Sequence, residues 1–387
     1  MSATNLVDEF DDIRPYRDDE LPQRIATLVR DPDLVRMACR LQTPLLFRLA
    51  PLLARWIVGT ALRHRSRGIG NVHDLHTLLT RYVERMVRTT TNGFSHSGTD
   101  TLPKKEPCLY ISNHRDIVLD SIFVNYALWL SGVPPTQNAV GENLLQGGLG
   151  NELMRVNRSF TVVRSAKTAR AYYQALLKTS KYIRKTLEMG ESVWIAQRAG
   201  RSKDGTDETD PAIIKMFQLA YRTDQTTLED WLNRVNLVPV SLSYEIDPCA
   251  PMKARELYVK DTVGEYTKEF GEDFRSISQG IKGFKGKVHI AFAKPIKGLF
   301  DNVNDLAAYI NDQVKTGMVP FPTYLKAFDL LHNRADSNQL SPGRVNQEFH
   351  HQLNSLEPQE RNYLLVQYAN QCPGAQTQSP QDSEIAT

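Results

Sequence analysis

The sequence has few cysteines and no long uncharged apolar stretch. Its cysteines are scattered over 387 residues, and no two of them form a Cys-x-x-Cys pair: Cys39, Cys108, Cys249 and Cys372. This distribution argues against a zinc site and fits a reducing compartment. Because the first residues are charged, we expect no secretory signal, and no apolar run reaches the length of a membrane-spanning helix.

Acidic residues are absent from positions 36–67, although the net charge of the whole chain is only +3. The arginines in this stretch are Arg36, Arg40, Arg48, Arg55, Arg63, Arg65 and Arg67. Two of them interrupt the otherwise apolar segment TPLLFRLAPLLARWIVGTAL (43–62), which Pro44 and Pro51 are expected to divide into short helices. An apolar face with arginines at its margin and a tryptophan is typical of a helix in the headgroup region of a membrane. A helical cap packed on the main domain is the alternative.

The stretch ISNHRDIVLDS (111–121) contains the tripeptide His-Arg-Asp, which also occurs in the catalytic loop of protein kinases. A kinase needs an asparagine five residues after the aspartate, but position 121 is Ser121. The sequence has no glycine-rich phosphate loop upstream, no Asp-Phe-Gly downstream, and no Walker or Rossmann glycine pattern. The kinase interpretation is therefore excluded.

Strand-like and helical segments alternate from residue 108 onwards. The strand candidates are CLYISNH, QNAVGE, SFTVVRS, SVWIAQ, NLVPVSLSYE and KVHIAFAKPI, and a long amphipathic helix is expected over 167–189. Such alternation predicts an α/β fold with a mixed, largely parallel central sheet flanked by helices, and with helical additions at both ends.

The sequence suggests four segments. Residues 1–92 are expected to be an acidic N-terminus followed by the helical region that is a candidate for membrane contact. Residues 93–318 would be the α/β domain, and 319–372 a helical C-terminal region. Residues 373–387 are polar and poor in apolar side chains, which predicts a disordered tail.

His114 is a candidate general base, because it lies between a strand and a helix, where α/β folds position their chemistry. A carboxylate that accepts the proton of one ring nitrogen leaves the other nitrogen basic toward a substrate hydroxyl. Asp120 and Asp116 are both candidates for that carboxylate. The structural alternative is a histidine that only caps the helix or binds the backbone.

Three later stretches follow in order: VGENLLQGGLGNELMRVNRSFTVVRS (140–165), WIAQRAGRSKDG (194–205) and NLVPVSLSYE (236–245). Together with ISNHRDIVLD they resemble the four sequence blocks of the glycerol-3-phosphate and lysophosphatidate acyltransferase superfamily. The second block resembles the glycerol-3-phosphate and dihydroxyacetone-phosphate branch more closely than the short lysophosphatidate enzymes.

The resemblance implies roles for residues of the first two blocks. His114 resembles the catalytic base and Asp120 its partner. Arg164 resembles the second-block arginine associated with the phosphate of the acceptor, and Phe160 resembles the aromatic residue of that block. The usual first block has four residues between His and Asp, whereas five lie between them here, so Asp116 stays open as the partner.

The third and fourth blocks imply further substrate-binding residues. Those resembling the family are Gly200, Arg201 and Ser202 of the Gly-x-Arg-Ser portion, and Pro239, which the family associates with the acyl chain. The third block usually begins with a glutamate shortly before the glycine, but this chain has Arg198 and Ala199 there. If that acid positions the acceptor, its absence lowers activity, changes the acceptor or indicates an inactive chain.

The resemblance implies a glycerolipid O-acyltransferase. Such an enzyme moves a fatty acyl group from acyl-CoA or acyl-carrier protein to the hydroxyl of a glycerol-phosphate or lysophospholipid acceptor. Guanidinium groups suit the acceptor phosphate. No metal or other cofactor is expected, because the acyl donor is a cosubstrate. Backbone N–H groups near the start of the helix are expected to stabilise the oxyanion.

The expected partners are the acyl donor, a phosphate-bearing lipid acceptor and a membrane surface, but no nucleic acid. The expected location is cytoplasmic and peripheral, on the inner face of a membrane. The alternative function is a lipid-binding or regulatory protein that keeps the acyltransferase fold with lost or reduced turnover, which the missing third-block acid allows.

Overall fold

The computed structural model describes the chain except for its two ends and a few short internal stretches; the described residues are 9–142, 148–224, 226–269, 271–332, 334 and 340–372. The chain divides into two compact units, each assembled from two separated parts of the sequence. Unit 1 comprises Met1–Tyr82 and Gln137–Ile183, and unit 2 comprises Val83–Thr136 and Arg184–Thr387. The four-segment division stays a prediction, and the predicted tail 373–387 lies outside the described residues.

Helices and strands alternate through the middle of the chain. The α-helices are α1 (Leu21–Leu28), α2 (Pro32–Gln42), α3 (Pro44–Leu49), α4 (Pro51–Ser66), α5 (Val72–Thr90), α6 (Leu119–Leu130), α7 (Gly148–Val156), α8 (Ala169–Glu188), α9 (Pro211–Gln218), α10 (Leu228–Arg234), α11 (Ala250–Val263), α12 (Glu272–Lys282), α13 (Val303–Thr316), α14 (Pro322–Leu331), α15 (Arg344–Asn354) and α16 (Pro358–Ala369). The strands are β1 (Gly93–Ser97), β2 (Cys108–Ser112), β3 (Gln137–Gly141), β4 (Ser159–Val162), β5 (Val193–Ala196), β6 (Asn236–Tyr244) and β7 (Lys287–Phe292).

The strands of unit 2 form a mixed, mostly parallel sheet in the order β1-β7-β6-β2-β5. Three of its pairs are parallel, whereas β6 and β7 run antiparallel. In unit 1, β3 and β4 pair in parallel. The predicted fold class is therefore confirmed, including the helical N- and C-terminal regions.

The sheet of unit 2 brings two loops to the same edge. Strand β2 pairs in parallel with β5, with Ser112 opposite Ala196 in the register. The carboxyl ends of parallel strands meet at one edge of a sheet, so the loop after Ser112 and the loop after Ala196 begin side by side. Strands β2 and β6 are buried along their whole length, so both lie in the interior of the unit.

In unit 1, α3 and α4 begin at Pro44 and Pro51, which confirms the predicted division of the apolar segment. Proline suits the first helical position, where an N–H has no partner within the helix. On one side, Ala54 and Val58 of α4 pack in a small apolar cluster with Cys39 of α2. Among the described residues, no helix is both long and apolar enough to span a membrane.

The C-terminal helices of unit 2 have an apolar core of their own. Helices α14, α15 and α16 pack with α11, and the buried side chains of this cluster include Tyr324, Phe349, Leu364 and Tyr368. These helices therefore cover the segment that follows β6.

Candidate active site

His114 lies two residues beyond the end of β2, and its ring is held by the first turn of α6. Its Nδ1 is 2.7 Å from Oδ2 of Asp120. The side chain of Asp120 is completely buried, whereas the side chain of His114 remains 12% exposed. The hydrogen bond assigns the proton to Nδ1, because a carboxylate only accepts. Nε2 of His114 therefore keeps its lone pair for an incoming proton.

Asp120 accepts hydrogen bonds from three further donors. Its Oδ2 accepts from the backbone N–H of Arg115 at 2.6 Å and of Asp116 at 3.0 Å. Its Oδ1 accepts from the hydroxyl of Tyr244 at 2.8 Å. Burial, and then the charge of Asp120, raises the pKa of Tyr244 well above its ordinary value, so the hydroxyl keeps its proton and donates it. Asp120 is thus fixed from several directions while it holds His114.

Asp116 has a different position. Its Oδ1 accepts from the backbone N–H groups of Val118 and Leu119, both at 3.0 Å, and so caps the start of α6. A Cβ built on Gly280 would overlap its Oδ2, which means that α12 packs directly on this carboxyl. Burial, followed by the charge of Asp120, raises the pKa of Asp116. Of the two candidates, Asp120 is the carboxylate that binds His114.

A cysteine also lies close to this carboxyl pair. Sγ of Cys249 is 3.9 Å from Oδ2 of Asp116 and 3.4 Å from the carbonyl oxygen of Ser276. Burial, and then the charge of Asp116, raises the pKa of the Cys249 thiol to about 12. Because the thiolate is the nucleophilic form, Cys249 is a structural residue rather than a nucleophile.

The third-block residues lie beside the loop between β2 and α6, residues 113–118, here called the histidine loop. The backbone N–H of Ser202 donates to the carbonyl oxygen of His114 at 2.8 Å. Gly200 has φ = +83°, a left-handed conformation that glycine adopts without strain. Nη1 of Arg201 donates to Oγ of Ser276 at 2.8 Å. The structure therefore brings Gly200, Arg201 and Ser202 together with His114 within unit 2.

The missing third-block acid is not replaced by the acids that follow it. Ala199 is exposed and offers no carboxylate. Oδ1 of Asp204 accepts from the N–H and hydroxyl of Thr206, at 3.0 and 2.8 Å, and so closes a local turn. Asp207 is buried and forms an ion pair with Arg115. Asp204 thus holds its own loop, and Asp207 holds this loop to the one that carries His114.

The remaining predicted substrate-binding residues are Pro239, Phe160 and Arg164. Pro239 lies within the buried strand β6, opposite Ile111 of β2. Phe160 belongs to unit 1 and is fully buried, with its ring 5.1 Å from that of Tyr182. Arg164 also belongs to unit 1, where it is exposed and its backbone N–H donates to Oε1 of Glu142 at 3.1 Å.

Sequence reasoning missed three polar residues around His114. Arg115 is 2% exposed and pairs with Asp207. Oδ1 of Asn113 accepts from the N–H of Leu242 at 2.8 Å, and its Nδ2 donates to the carbonyl oxygen of Leu242 at 3.0 Å, which ties the histidine loop to β6. Tyr244 is 124 positions from Asp120, and no local pattern in the sequence links residues so far apart.

The backbone amides at the start of α6 are already occupied. Those of Arg115 and Asp116 donate to Asp120, and those of Val118 and Leu119 donate to Asp116. The expectation that amides near the helix start stabilise an oxyanion is therefore wrong for these four groups.

Comparisons with known proteins bear on the superfamily. Residues 93–243 match the family model described as Acyltransferase. No curated protein matches the sequence. Among solved structures, the chain is similar to the 1-acyl-sn-glycerophosphate (LPA) acyltransferase PlsC from Thermotoga maritima, with a TM-score of 0.40 and 15% identity over 77% of this chain and 95% of that one. The family match supports the acyltransferase superfamily for residues 93–243 and does not distinguish its branches.

Proposed function

We propose that the protein is a glycerolipid O-acyltransferase that uses His114 as its general base and Asp120 as the carboxylate that orients it. The observation that carries this proposal is the buried Asp120, which holds Nδ1 of His114 at 2.7 Å and leaves Nε2 as the basic nitrogen on a partly exposed ring. The match of residues 93–243 to the acyltransferase family supports the same chemistry.

In the proposed reaction, Nε2 of His114 removes the proton of the acceptor hydroxyl while the oxygen attacks the thioester carbonyl. The resulting tetrahedral intermediate collapses, the carbon–sulfur bond breaks, and the thiolate leaves. The imidazolium returns its proton to that sulfur. Asp120 stabilises the imidazolium and fixes its orientation. The products are the ester and the thiol, and the histidine is regenerated without a metal or an acyl-enzyme.

We propose a phosphate-bearing acceptor, either glycerol phosphate of the glycerol-3-phosphate branch or a lysophospholipid. Arg201 supports this choice, because none of the described carboxylates forms an ion pair with it. Burial raises the pKa of Asp116, the guanidinium charge of Arg201 acts on that carboxyl to lower it, and the same charge can attract an acceptor phosphate. Arg164 of unit 1 stays a predicted phosphate ligand on the family resemblance alone, and acyl-CoA or acyl-carrier protein is the proposed donor.

We further propose that the enzyme works at an anionic membrane surface, to which it binds through α3 and α4. The outward face of these helices carries large exposed apolar side chains: Leu45, Leu49, Leu52, Leu53, Trp56 and Ile57. Within each helix, spacings of three or four residues put Leu45 with Leu49 in α3, and Leu52 and Leu53 with Trp56 and Ile57 in α4, on a common side. Arg48 and Arg55 are exposed beside them, and a lipid surface of negative charge complements both features.

The second candidate function is a lipid-binding or regulatory protein with lost or reduced turnover. The observation that favours it is Ala199, which leaves the third block without its acid, while the nearby Asp204 and Asp207 are engaged elsewhere. The two candidates differ in turnover, not in lipid binding.

An acceptor panel tests the proposal. Palmitoyl-CoA or palmitoyl-carrier protein is incubated with glycerol 3-phosphate, lysophosphatidate, lysophosphatidylcholine or an ornithine lipid, and ester products are identified by mass spectrometry. We expect product from a phosphate-bearing acceptor, and none from the His114→Ala variant. Absence of product with every acceptor, together with retained binding to lipid vesicles, would identify the binding protein instead.

A further inference from the structure

The helices at the C-terminal end of the described chain lie beyond residues 93–243, yet hydrogen bonds through other residues link them to the loop that carries His114. We propose that Tyr368 and Asn370, here called the brace, position His114 for proton transfer. The inference rests on the proposed role of His114 as the base. It adds positioning residues from a part of the chain that the acyltransferase family match does not include.

The histidine loop contacts the loop between β5 and α9, residues 197–210, here called the third-block loop. The carbonyl oxygen of His114 accepts the backbone N–H of Ser202 at 2.8 Å. The next residue, Arg115, is buried, and its guanidinium forms an ion pair with Asp207 and lies 3.5 Å from the carbonyl oxygen of Gly205. A displacement of residues 202–207 would therefore move the backbone that carries the imidazole.

Asn370 holds the third-block loop from its other side. Its Nδ2 donates to the carbonyl oxygen of Asp204 at 2.8 Å. Directly beside it, Gly205 has φ = +82°, and a Cβ at this position would overlap the carbonyl oxygen of Gln367 in α16. The backbone of α16 thus lies against Gly205, and the Asn370 amide fixes the peptide group that precedes this glycine.

Tyr368 reaches the histidine loop by a second route. Its hydroxyl accepts the backbone N–H of Asp247 at 3.0 Å and donates to Oε1 of Gln352 at 2.9 Å. Nε2 of Gln352 donates to the carbonyl oxygen of the same Asp247 at 3.0 Å. Asp247 forms an ion pair with Lys253, whose ammonium group donates to the carbonyl oxygen of Arg115 at 2.7 Å.

The two routes end on consecutive carbonyl groups, those of His114 and Arg115. Most residues that connect them to the brace are buried, namely Arg115 2%, Ser202 2%, Lys253 2%, Gln352 3% and Asp247 6% exposed, whereas Asp204 and Asn370 are half-buried. In the buried part of the network, water does not replace a lost hydrogen bond, so the loop moves until its polar groups find other partners. A misplacement of about 1 Å at a reacting group can lower a rate by about 10²-fold.

Two variants test the brace, one for each route. Asn370→Ala removes the donor to Asp204, and Tyr368→Phe removes the hydroxyl that holds Asp247 while keeping the ring. Asn354→Ala, an exposed residue at the end of α15, is the matched control. We expect kcat for acyl transfer to fall by about tenfold in both brace variants, with KM for the acyl donor little changed, because the base is displaced rather than the binding site.

A second readout does not require turnover. Diethyl pyrocarbonate modifies exposed imidazoles, and peptide mass spectrometry measures its reaction with His114 relative to the exposed His64. We expect a severalfold faster modification of His114 in both brace variants, and no change in Asn354→Ala. If Asn370→Ala does not fold, Tyr368→Phe alone carries the test.

The outcomes separate the brace from the proposed function. Unchanged kcat and unchanged modification of His114 in the brace variants would overturn the brace. Equal changes in Asn354→Ala would also overturn it, because they would report a general loss of helix packing. A wild-type protein without acyl transfer, whose His114 is nevertheless modified faster in the brace variants, would overturn the proposed function and support the brace.

Discussion

Two regions of the molecule differ in how far their groups are paired within the chain: the loop between β2 and α6, and the helices α3 and α4. In residues 113–120, carboxylates accept the loop's own amides. Strand β6 adds two hydrogen bonds to the loop, from the N–H of Leu242 to Asn113 and from the hydroxyl of Tyr244 to Asp120. In α3 and α4, apolar side chains point outward, with Leu49 82% and Leu52 78% exposed. The first region is complete within the chain and suits preorganised chemistry, whereas the second gains stability only when a partner covers it.

The largest effect on acyl transfer should come from the loop between β2 and α6. His114→Ala removes the proposed base, and we expect acyl transfer to fall by roughly 10²- to 10⁴-fold, the range that general acid–base catalysis contributes. Thiol release from palmitoyl-CoA in the presence of acceptor measures the change. The exposed His350 provides a control through His350→Ala. Comparable activity in both variants would contradict the role of His114.

The contact between α16 and the third-block loop can be tested by adding a methyl group. Gly205→Ala would force a left-handed residue against the carbonyl oxygen of Gln367, whereas Gly190→Ala has a similar φ and open space around it. Left-handed strain costs about 1–2 kcal/mol in either variant, and overpacking should add about 1–3 kcal/mol in Gly205→Ala. Urea unfolding compares the two, and equal free energies of unfolding would contradict the close contact.

The exposed face of α3 and α4 should respond to lipid rather than to substrate. Leu49→Gln should weaken binding to vesicles that contain phosphatidylglycerol by roughly tenfold or more, because burial of a leucine contributes about 1.5–3 kcal/mol. Leu299→Gln is the matched control, since Leu299 is 80% exposed but lies in unit 2. Equal vesicle co-sedimentation of the two variants would contradict the proposed binding of α3 and α4 to the membrane. A lipid-free wild-type dimer that becomes monomeric in Leu49→Gln would identify a second copy as the partner.

Each charge beside that face should have a smaller effect than Leu49. Each of Arg48 and Arg55 should contribute about 1 kcal/mol at an anionic surface. The double change to glutamate should therefore reduce vesicle binding at low salt and leave binding to neutral phosphatidylcholine vesicles unaltered. The difference should decline as salt screens the charges. If co-sedimentation is unaffected, the interfacial interpretation is incorrect.

The smallest effect is expected at the third-block departure. Ala199→Glu restores the acid of the family pattern at an exposed position, so the fold should tolerate it. We expect a few-fold increase in acyl transfer, with Ala199→Gln as the uncharged control of the same length. If turnover and acceptor choice stay the same, the missing acid does not limit the reaction.

Most strands could be predicted from the sequence, because β2, β5 and β6 are apolar and buried. Strand β1 was not predicted. Its residues GFSHS are mostly polar and alternate between exposed and half-buried, since β1 lies at the edge of the unit 2 sheet. Its pairing with β7 depends on a residue almost 200 positions away, as Ser95 lies opposite His289.

The candidate site was predictable only where its geometry is local. His114 and Asp120 lie in one loop and the following helical turn, so their spacing carries the signal. Tyr244 of β6 and Lys253 of α11 contact this loop, and Tyr368 of α16 is linked to it through Asp247. These contacts depend on tertiary packing that no sequence spacing records. The partner of His114 stayed open for another reason: Asp116 and Asp120 both lie within this local stretch, and only the structure shows which carboxylate binds Nδ1.

Two matched variants, compared by kcat, decide whether Asp120 rather than Asp116 orients His114. Asp120→Asn disturbs the ring tautomer, so kcat should fall by roughly 10²- to 10⁴-fold. Asp116→Asn should change it only a few-fold, because an amide oxygen can still accept the N–H groups of Val118 and Leu119. An equal fall in both variants, or a larger fall in Asp116→Asn, would contradict the account.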